Sequence, residues 1–564
     1  MSAANRRDFL RLCAASISTF ACGSLTSPAG ALANRIEKYI DPLPLLQPTE
    51  PYESIRGIPR YRIRMRQFQK RLHSGLPHTT LWGYESHCPG PLFEVDRGKA
   101  IDVEWVNELP LQHLFPVDHE IHGAIPPAPD VRTVPHLHGA RTDSTSDGLP
   151  ENWFTPGHSV LYHYPNDQPA APLWYHDHAL GITRLNVYAG LSGFYFIHDE
   201  QELRLGLPSG DHEIPLILQD RTLDDRGQLL YLPTADNGNT LPPGVWGPQF
   251  FGNLPLINGA IYPYLEVEPR PYRLRVLNAA NSRFFRLYLN LARDPTDVPS
   301  LVKFHQIGSD GGLLSAPVTM QKILLAPAER ADLIVDFSEL EGKTITLMND
   351  APAPYPGWDL LGPLHPPLYE LMQLRVILPL SSAGKRYGFP SFPAVQRINP
   401  KESILTRDFV LRDCTNQPGP GQSAAGATFC SSATRPGMLI NGRGYDAPAT
   451  ELPKMNSTET WRFINTTDDA HPMHLHLVQF QILERQGFNG SALTRGSLEL
   501  IGLVRQPPPG EMGWKDTAVV DPGEVLTILV RFEGYTGKYV FHCHVAEHED
   551  NDMMRPFIVM PSPN

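Results

Sequence analysis

The chain has 564 residues, 41% of them apolar and 19% charged, and a formal net charge of −12. One hydrophobic core cannot serve that length, so several domains are expected, and the composition argues against disorder. No window approaches about 18 consecutive apolar residues, which argues against a membrane-spanning helix, and the acidic balance without a basic run argues against a nucleic-acid binder.

At the N-terminus, Asn5-Arg6-Arg7-Asp8-Phe9-Leu10-Arg11 is a twin-arginine pattern. A mildly apolar stretch from Leu12 to Cys22 follows, and then the small residues Ala29, Ala31 and Ala33. The order basic, apolar, small reads as a Tat export signal over residues 1–33, with the periplasm or the cell exterior as destination. Tat carries folded proteins, which suits a chain that acquires a cofactor before export.

From there the chain reads as β throughout. With 57 Pro and 45 Gly, long helices and central strands are disfavoured, and short strands with many turns are favoured. Ala100–Val106, Tyr272–Leu277 and Glu524–Phe532 alternate apolar and polar residues, as half-buried strands do. Pro89-Gly90-Pro91, Gly311-Gly312 and Pro522-Gly523 punctuate them.

A diffuse repeat runs through these strands. Arg97-Gly98-Lys99-Ala100 precedes one ending in Asn107, Glu268-Pro269-Arg270-Pro271 one ending in Asn278, and Asn456-Ser457-Thr458-Glu459 one ending in Asn465. An interval of roughly 170–190 residues fits three similar β-sandwich domains. Junctions are expected near Asp199–Pro208 and Pro379–Pro400, giving domains over 34–204, 205–385 and 386–564. The Gly-, Pro- and Ser-rich stretch from Asp413 to Gly437 reads as a surface loop of the third.

Four His-X-His pairs carry the chemistry: His136/His138, His176/His178, His474/His476 and His542/His544. With 22 His in the chain, chance provides roughly one such pair. In a strand, residues i and i+2 share a face, so each pair presents two imidazoles side by side. Eight imidazoles exceed what one metal uses, and nitrogen-rich ligation suits copper, zinc or iron. The C-terminal run decides among these. Cys543 points away from its neighbours His542 and His544, His548 follows five residues later, Met553 five after that, and His471 lies three before His474. Two His, a Cys thiolate and a weak axial Met form the ligand set of a blue-copper site. An electron arriving at Cys543 needs only the Cys–His backbone link to reach a second cluster on the other face of the strand. Zinc, without redox chemistry, does not call for this relay.

At these residues the chain resembles the multicopper oxidases, specifically bacterial laccases of the spore-coat CotA type, with bilirubin oxidases and phenoxazinone synthases as relatives. The resemblance runs from Thr79 to Pro561 and is weakest over residues 384–437. It includes Trp82-Gly83-Tyr84, Leu185-Asn186-Val187-Tyr188-Ala189-Gly190, Gly308-Ser309-Asp310-Gly311-Gly312, Ala326-Pro327-Ala328-Glu329-Arg330, Gly513-Trp514-Lys515-Asp516 and the run from His548 to Pro556. It implies an all-β fold of three cupredoxin-like domains, with a trinuclear cluster between the first and third and the middle one as spacer and scaffold. It implies four copper ions. His471, Cys543, His548 and Met553 match the type 1 ligands, and His136 and His474 the type 2 ligands. His138, His176, His178, His476, His542 and His544 match those of the paired type 3 ions. Asp147 and Glu549 match acidic positions beside the cluster, where O₂ reduction consumes protons. Asp177, between two ligands, is expected to face away from them.

The activity implied is one-electron oxidation of small phenols, aromatic amines or tetrapyrroles at an edge near His548, with O₂ reduced to water. A cuprous-ion oxidase is the alternative, weakened by only 12 Met and one adjacent Met pair, Met553-Met554. A non-catalytic copper-binding scaffold is the third reading, disfavoured by the complete ligand set. A monomer is expected. Of six Cys, Cys13 and Cys22 lie in the signal, Cys88 reads as an inert buried thiol, and Cys414 and Cys430 either pair outside the cytoplasm or stay free.

Overall fold

The computed structural model describes residues 35–234, 240–291, 300–357, 368–381, 388–413 and 437–562. The twin-arginine segment, Cys414 and Cys430, and most of the Gly/Pro-rich loop lie outside the described residues. Among the described residues, strands gather in six sheets, two from each successive third of the chain. Each sheet pair encloses its own core, around Ile63, Trp82 and Trp105 in the first, Leu216, Phe285 and Leu333 in the second, and Trp461, Phe480 and Phe541 in the third. No helix among them is long and apolar enough to cross a membrane.

The strand-then-Asn repeat occupies the same place in all three units. Ile101–Asn107, Pro271–Asn278 and Thr458–Asn465 each pair in parallel with an earlier strand of their unit and antiparallel with a later one. Alternation explains the first: Ile101, Val103 and Trp105 are buried while the intervening side chains are half-buried. The terminal Asn is buried each time and closes a turn. Its side-chain oxygen accepts from the amide two residues on, Leu109, Ala280 or Thr467. Its amide group donates to the carbonyls of Phe154, of Arg283 and Leu325, or of Asp469 and Val520. Leaving such buried backbone groups unpaired costs about 1–3 kcal/mol each, which is why Asn, with both donor and acceptor, stands there.

Between the units, Asp199 caps the short helix Glu200–Leu203 by accepting from the Glu202 amide at 2.8 Å, and residues 388–399 run without regular structure. The N-terminal stretch straps the first two units together. The amides of Tyr39 and Leu43 donate to the carbonyls of Tyr262 and Tyr264, and that of Thr49 to Leu92.

Candidate metal centre

Two antiparallel strand pairs supply the imidazoles. Pro135–His138 pairs with Ala171–Asp177, placing His136 opposite His176. His471–Leu475 pairs with Gly537–Cys543, placing His474 opposite His542. His178, His476 and His544 stand just past the strand ends. The two strand pairs face each other, so rings from the first unit stack on rings from the third. His136 lies on His476 with centroids 3.8 Å apart, and His138 on His474 at 3.6 Å. All eight imidazoles are buried.

Most of these rings spend one nitrogen on the protein and leave the other. The Nδ1 atoms of His136, His176 and His474 donate to the carbonyls of Asp147, Asp177 and Asp516 at 2.6, 2.8 and 2.8 Å. Their Nε2 atoms have no hydrogen-bond partner. His542 Nδ1 faces the Cys543 carbonyl at 3.0 Å, and His476 Nδ1 the Asp147 carboxylate at 2.8 Å. His138 is reversed: Nε2 donates to Asp516 at 3.0 Å and Nδ1 is unpartnered. The Nε2 atoms of His178 and His476 then lie 3.2 and 3.3 Å from His542 Nε2.

Burial pushes the imidazole pKa values down, to about 3 for His176 and about 4 for His542, and well below the ordinary value for the other six. The rings are therefore neutral near pH 7, and their free nitrogens converge as lone pairs without protons between them. Such a set repels itself unless a cation lies among the nitrogens. The residues thus fit metal ions held by imidazole nitrogen.

A second cluster lies on the other side of the same strand. Cys543 Sγ is 3.4 Å from His471 Nδ1 and 3.6 Å from His548 Nδ1, and the two nitrogens are 3.2 Å apart. Thr467 Oγ1 donates to Asn465 and so accepts from His471 Nε2 at 2.6 Å, which frees Nδ1 for a metal. Burial pushes the Cys543 thiol well up, so a thiolate there needs a cation to balance it. Met553 is fully buried in the same core, its carbonyl accepting from Cys543 N and its amide donating to the His548 carbonyl, both at 3.0 Å.

The acidic residues divide. Asp147 holds two rings, His136 through its carbonyl and His476 through its carboxylate. Glu549 faces His178 Nε2 at 3.6 Å and His542 Nδ1 at 3.3 Å. Burial raises the pKa of both carboxyls. The Asp177 carboxylate turns away from the rings, accepting from the amides of Val134 and Ala179 and from Asn186.

Sequence reasoning missed several groups at this centre. Asp516, Arg330, Thr467 and Trp174, whose ring stacks on His176 at 4.3 Å, were visible only as members of motifs or not at all. His122 was missed too. It reaches from the first unit to the loop carrying Met553, with Nδ1 on Asp552 at 2.8 Å and Nε2 on Asp446 at 2.9 Å. Asp552 has a left-handed backbone, φ 73°. The hydrogen bond to Asp552 lifts the His122 pKa to about 9. A folded pKa above the unfolded value of about 6.5 gives stability that is complete below pH 6.5 and lost as pH rises through about 9. His122→Gln is therefore expected to destabilise the protein by about 1–2 kcal/mol at pH 6, after allowing for solvent screening at exposed Asp446, and by much less at pH 10. Thermal unfolding of both proteins across that window checks this; a constant difference would count against it.

Family models described as multicopper oxidase match residues 129–202 and 420–563. A laccase of Bacillus subtilis (strain 168) is 42% identical, with 92% of this chain and 98% of that protein covered. A laccase of Haloferax volcanii is 37% identical, covering 98% of this chain and 91% of its own. The crystal structure of the McoA multicopper oxidase of Aquifex aeolicus matches with a TM-score of 0.72 at 25% identity, over 93% of this chain and all of that one. The chain, with its three cupredoxin-like units, belongs to the multicopper oxidase family and is a laccase-like, copper-dependent oxidoreductase.

Proposed function

We propose that the chain holds four copper ions and couples one-electron oxidation of small phenols, aromatic amines or tetrapyrroles to reduction of O₂. His471, Cys543 and His548, with the buried thioether of Met553 in the same core, would hold the type 1 ion. His136 and His474 hold the type 2 ion, and His138, His176, His178, His476, His542 and His544 the type 3 pair. When bound, copper supplies the one-electron redox steps and the four-electron reduction of O₂ to water. The observation that carries this reading is Cys543 itself: its sulfur lies in one cluster, and His542 and His544, directly bonded to it in sequence, lie in the other.

The protein groups have distinct tasks. The Asp147, Asp177 and Asp516 carbonyls orient rings so that one nitrogen is presented. Glu549, whose carboxyl pKa burial raises, lies beside His178 and His542 and is placed to hand a proton to the cluster. His548 is fully buried. Trp246, whose indole N–H donates to the Glu547 carbonyl at 3.0 Å, belongs to the segment packed beside it. The donor is therefore expected to meet this cover rather than the imidazole edge. The twin-arginine segment supports export of the folded chain to the periplasm or the cell exterior.

Oxygen uptake by the copper-loaded chain with 2,6-dimethoxyphenol or Cu(I) as donor tests the reading. Fast uptake with the phenol and little with Cu(I) is expected. The reverse would make the chain a cuprous oxidase, and no uptake with either would leave a copper-binding scaffold.

A further inference from the structure

Arg330 begins a strand of the middle unit, Arg330–Asp336, and is fully buried. A guanidinium has five N–H donors, and burying any of them unpaired is costly. Here all five are used. Nε donates to the Pro172 carbonyl of the first unit at 2.9 Å. One donor of each terminal nitrogen goes to a carbonyl of the middle unit, Ala328 at 2.9 Å and Asp310 at 3.1 Å. The remaining two form a fork on Asp516 of the third unit, at 2.7 Å to Oδ1 and 2.5 Å to Oδ2. One side chain thus ties the three units at one point.

The Asp516 oxygen that takes the longer arm of the fork, Oδ1, also accepts from His138 Nε2 at 3.0 Å, and the Asp516 carbonyl accepts from His474 Nδ1 at 2.8 Å. The carboxylate is thereby fixed as an acceptor toward His138, which must carry its proton on Nε2 and offer Nδ1. This is the reverse of the arrangement at His136, His176 and His474. Gly139 fits the same constraint: a Cβ there would lie 2.5 Å from Asp516 Oδ2 and 3.1 Å from the Arg330 guanidinium. Gly139, whose φ of 85° already favours glycine, also leaves the room in which this ion pair sits.

We propose that Arg330 is a positioning residue of the trinuclear site: by clamping Asp516 it sets which nitrogen His138 presents and holds His474 in place, so the middle unit takes part in building the cluster instead of only spacing the other two. This rests on the reading of His138 and His474 as copper ligands. The guanidinium fork is the needed chemistry, since a lysine supplies the charge but not two parallel donors.

The test uses the copper-loaded chain and its variants Arg330→Lys and Arg330→Met. Copper content, the blue absorption of the type 1 site and the EPR signal of type 2 copper are read beside turnover. Arg330→Lys is expected to keep the blue absorption, which reports a folded third unit, while its type 2 EPR parameters shift or its copper content falls. Turnover should drop about 10- to 100-fold, the usual cost of losing a group that orients a ligand. Arg330→Met should do the same or more; if it fails to fold, the lysine variant alone decides. Wild-type copper content and an unchanged type 2 signal in Arg330→Lys would overturn the proposal, even with a lowered unfolding temperature, since a purely structural tie would behave that way. If the wild-type chain itself shows no type 2 signal when loaded, it is the ligand assignment that fails.

Discussion

Cys543→Ser is expected to lose the blue absorption completely and to cut turnover with any organic donor by at least about a thousandfold, some 4 kcal/mol of barrier. The reasons are local. Among the described residues the sulfur is the sole thiolate candidate within reach of His471 and His548, and a serine hydroxyl stays protonated and is a poor partner for a soft one-electron metal. The substitution also removes the one atom joining the two clusters through the peptide link to His542 and His544. The fold should survive, because the exchanged atoms are similar in size and the Val545 amide that points at Sγ at 3.5 Å can serve a hydroxyl. Copper held by the eight paired imidazoles should remain. Absorption and EPR spectra with oxygen uptake measure all three; turnover within tenfold of the parent would sink the assignment of Cys543.

Stripping the copper with a chelator should cost more stability than any single substitution outside the cores. The free nitrogens of His136, His138, His176, His474 and His544 then lose their partner while staying buried, at about 1–3 kcal/mol for each group that water does not reach. Seen as linkage, an ion present at a thousand times its Kd contributes about 4 kcal/mol. The loss should be uneven. The strands of the first and third units that meet at the cluster should loosen, whereas the middle unit, which contributes no candidate ligand, should keep its own transition. Scanning calorimetry of loaded, stripped and reloaded protein checks this. A stripped chain that unfolds within about 2 °C of the loaded one would contradict it.

What the sequence disclosed depended on distance along the chain. The His-X-His pairs are legible because a strand puts i and i+2 on one face, and the spacing survives in the order of letters. The same holds for Asn107, Asn278 and Asn465, whose turn partners are two residues away. The Asp516 carboxylate was hidden because its partners, His138 and Arg330, are 378 and 186 positions distant. No periodicity encodes such a meeting; only the docking of three units creates it. His122 was hidden likewise, 430 positions from Asp552. Thr467 escaped for another reason. It lies four residues before His471, but a threonine in a turn carries no mark of the ring it will hold. The cover over His548 could not be read either, because burial of a ring edge is a property of the loops packed on it.

The halving of the cluster between two distant stretches also sets a schedule. His136 to His178 leave the ribosome long before His471 to His544. At the usual rate of about 5–20 residues per second, the interval is on the order of tens of seconds. Throughout it the growing chain displays half a set of imidazoles, without the partners that complete either cluster. The relay through Cys543 therefore awaits the last stretch of the chain. Products lacking that stretch hold none of His471, Cys543 and His548, and so have no second cluster to pass an electron from.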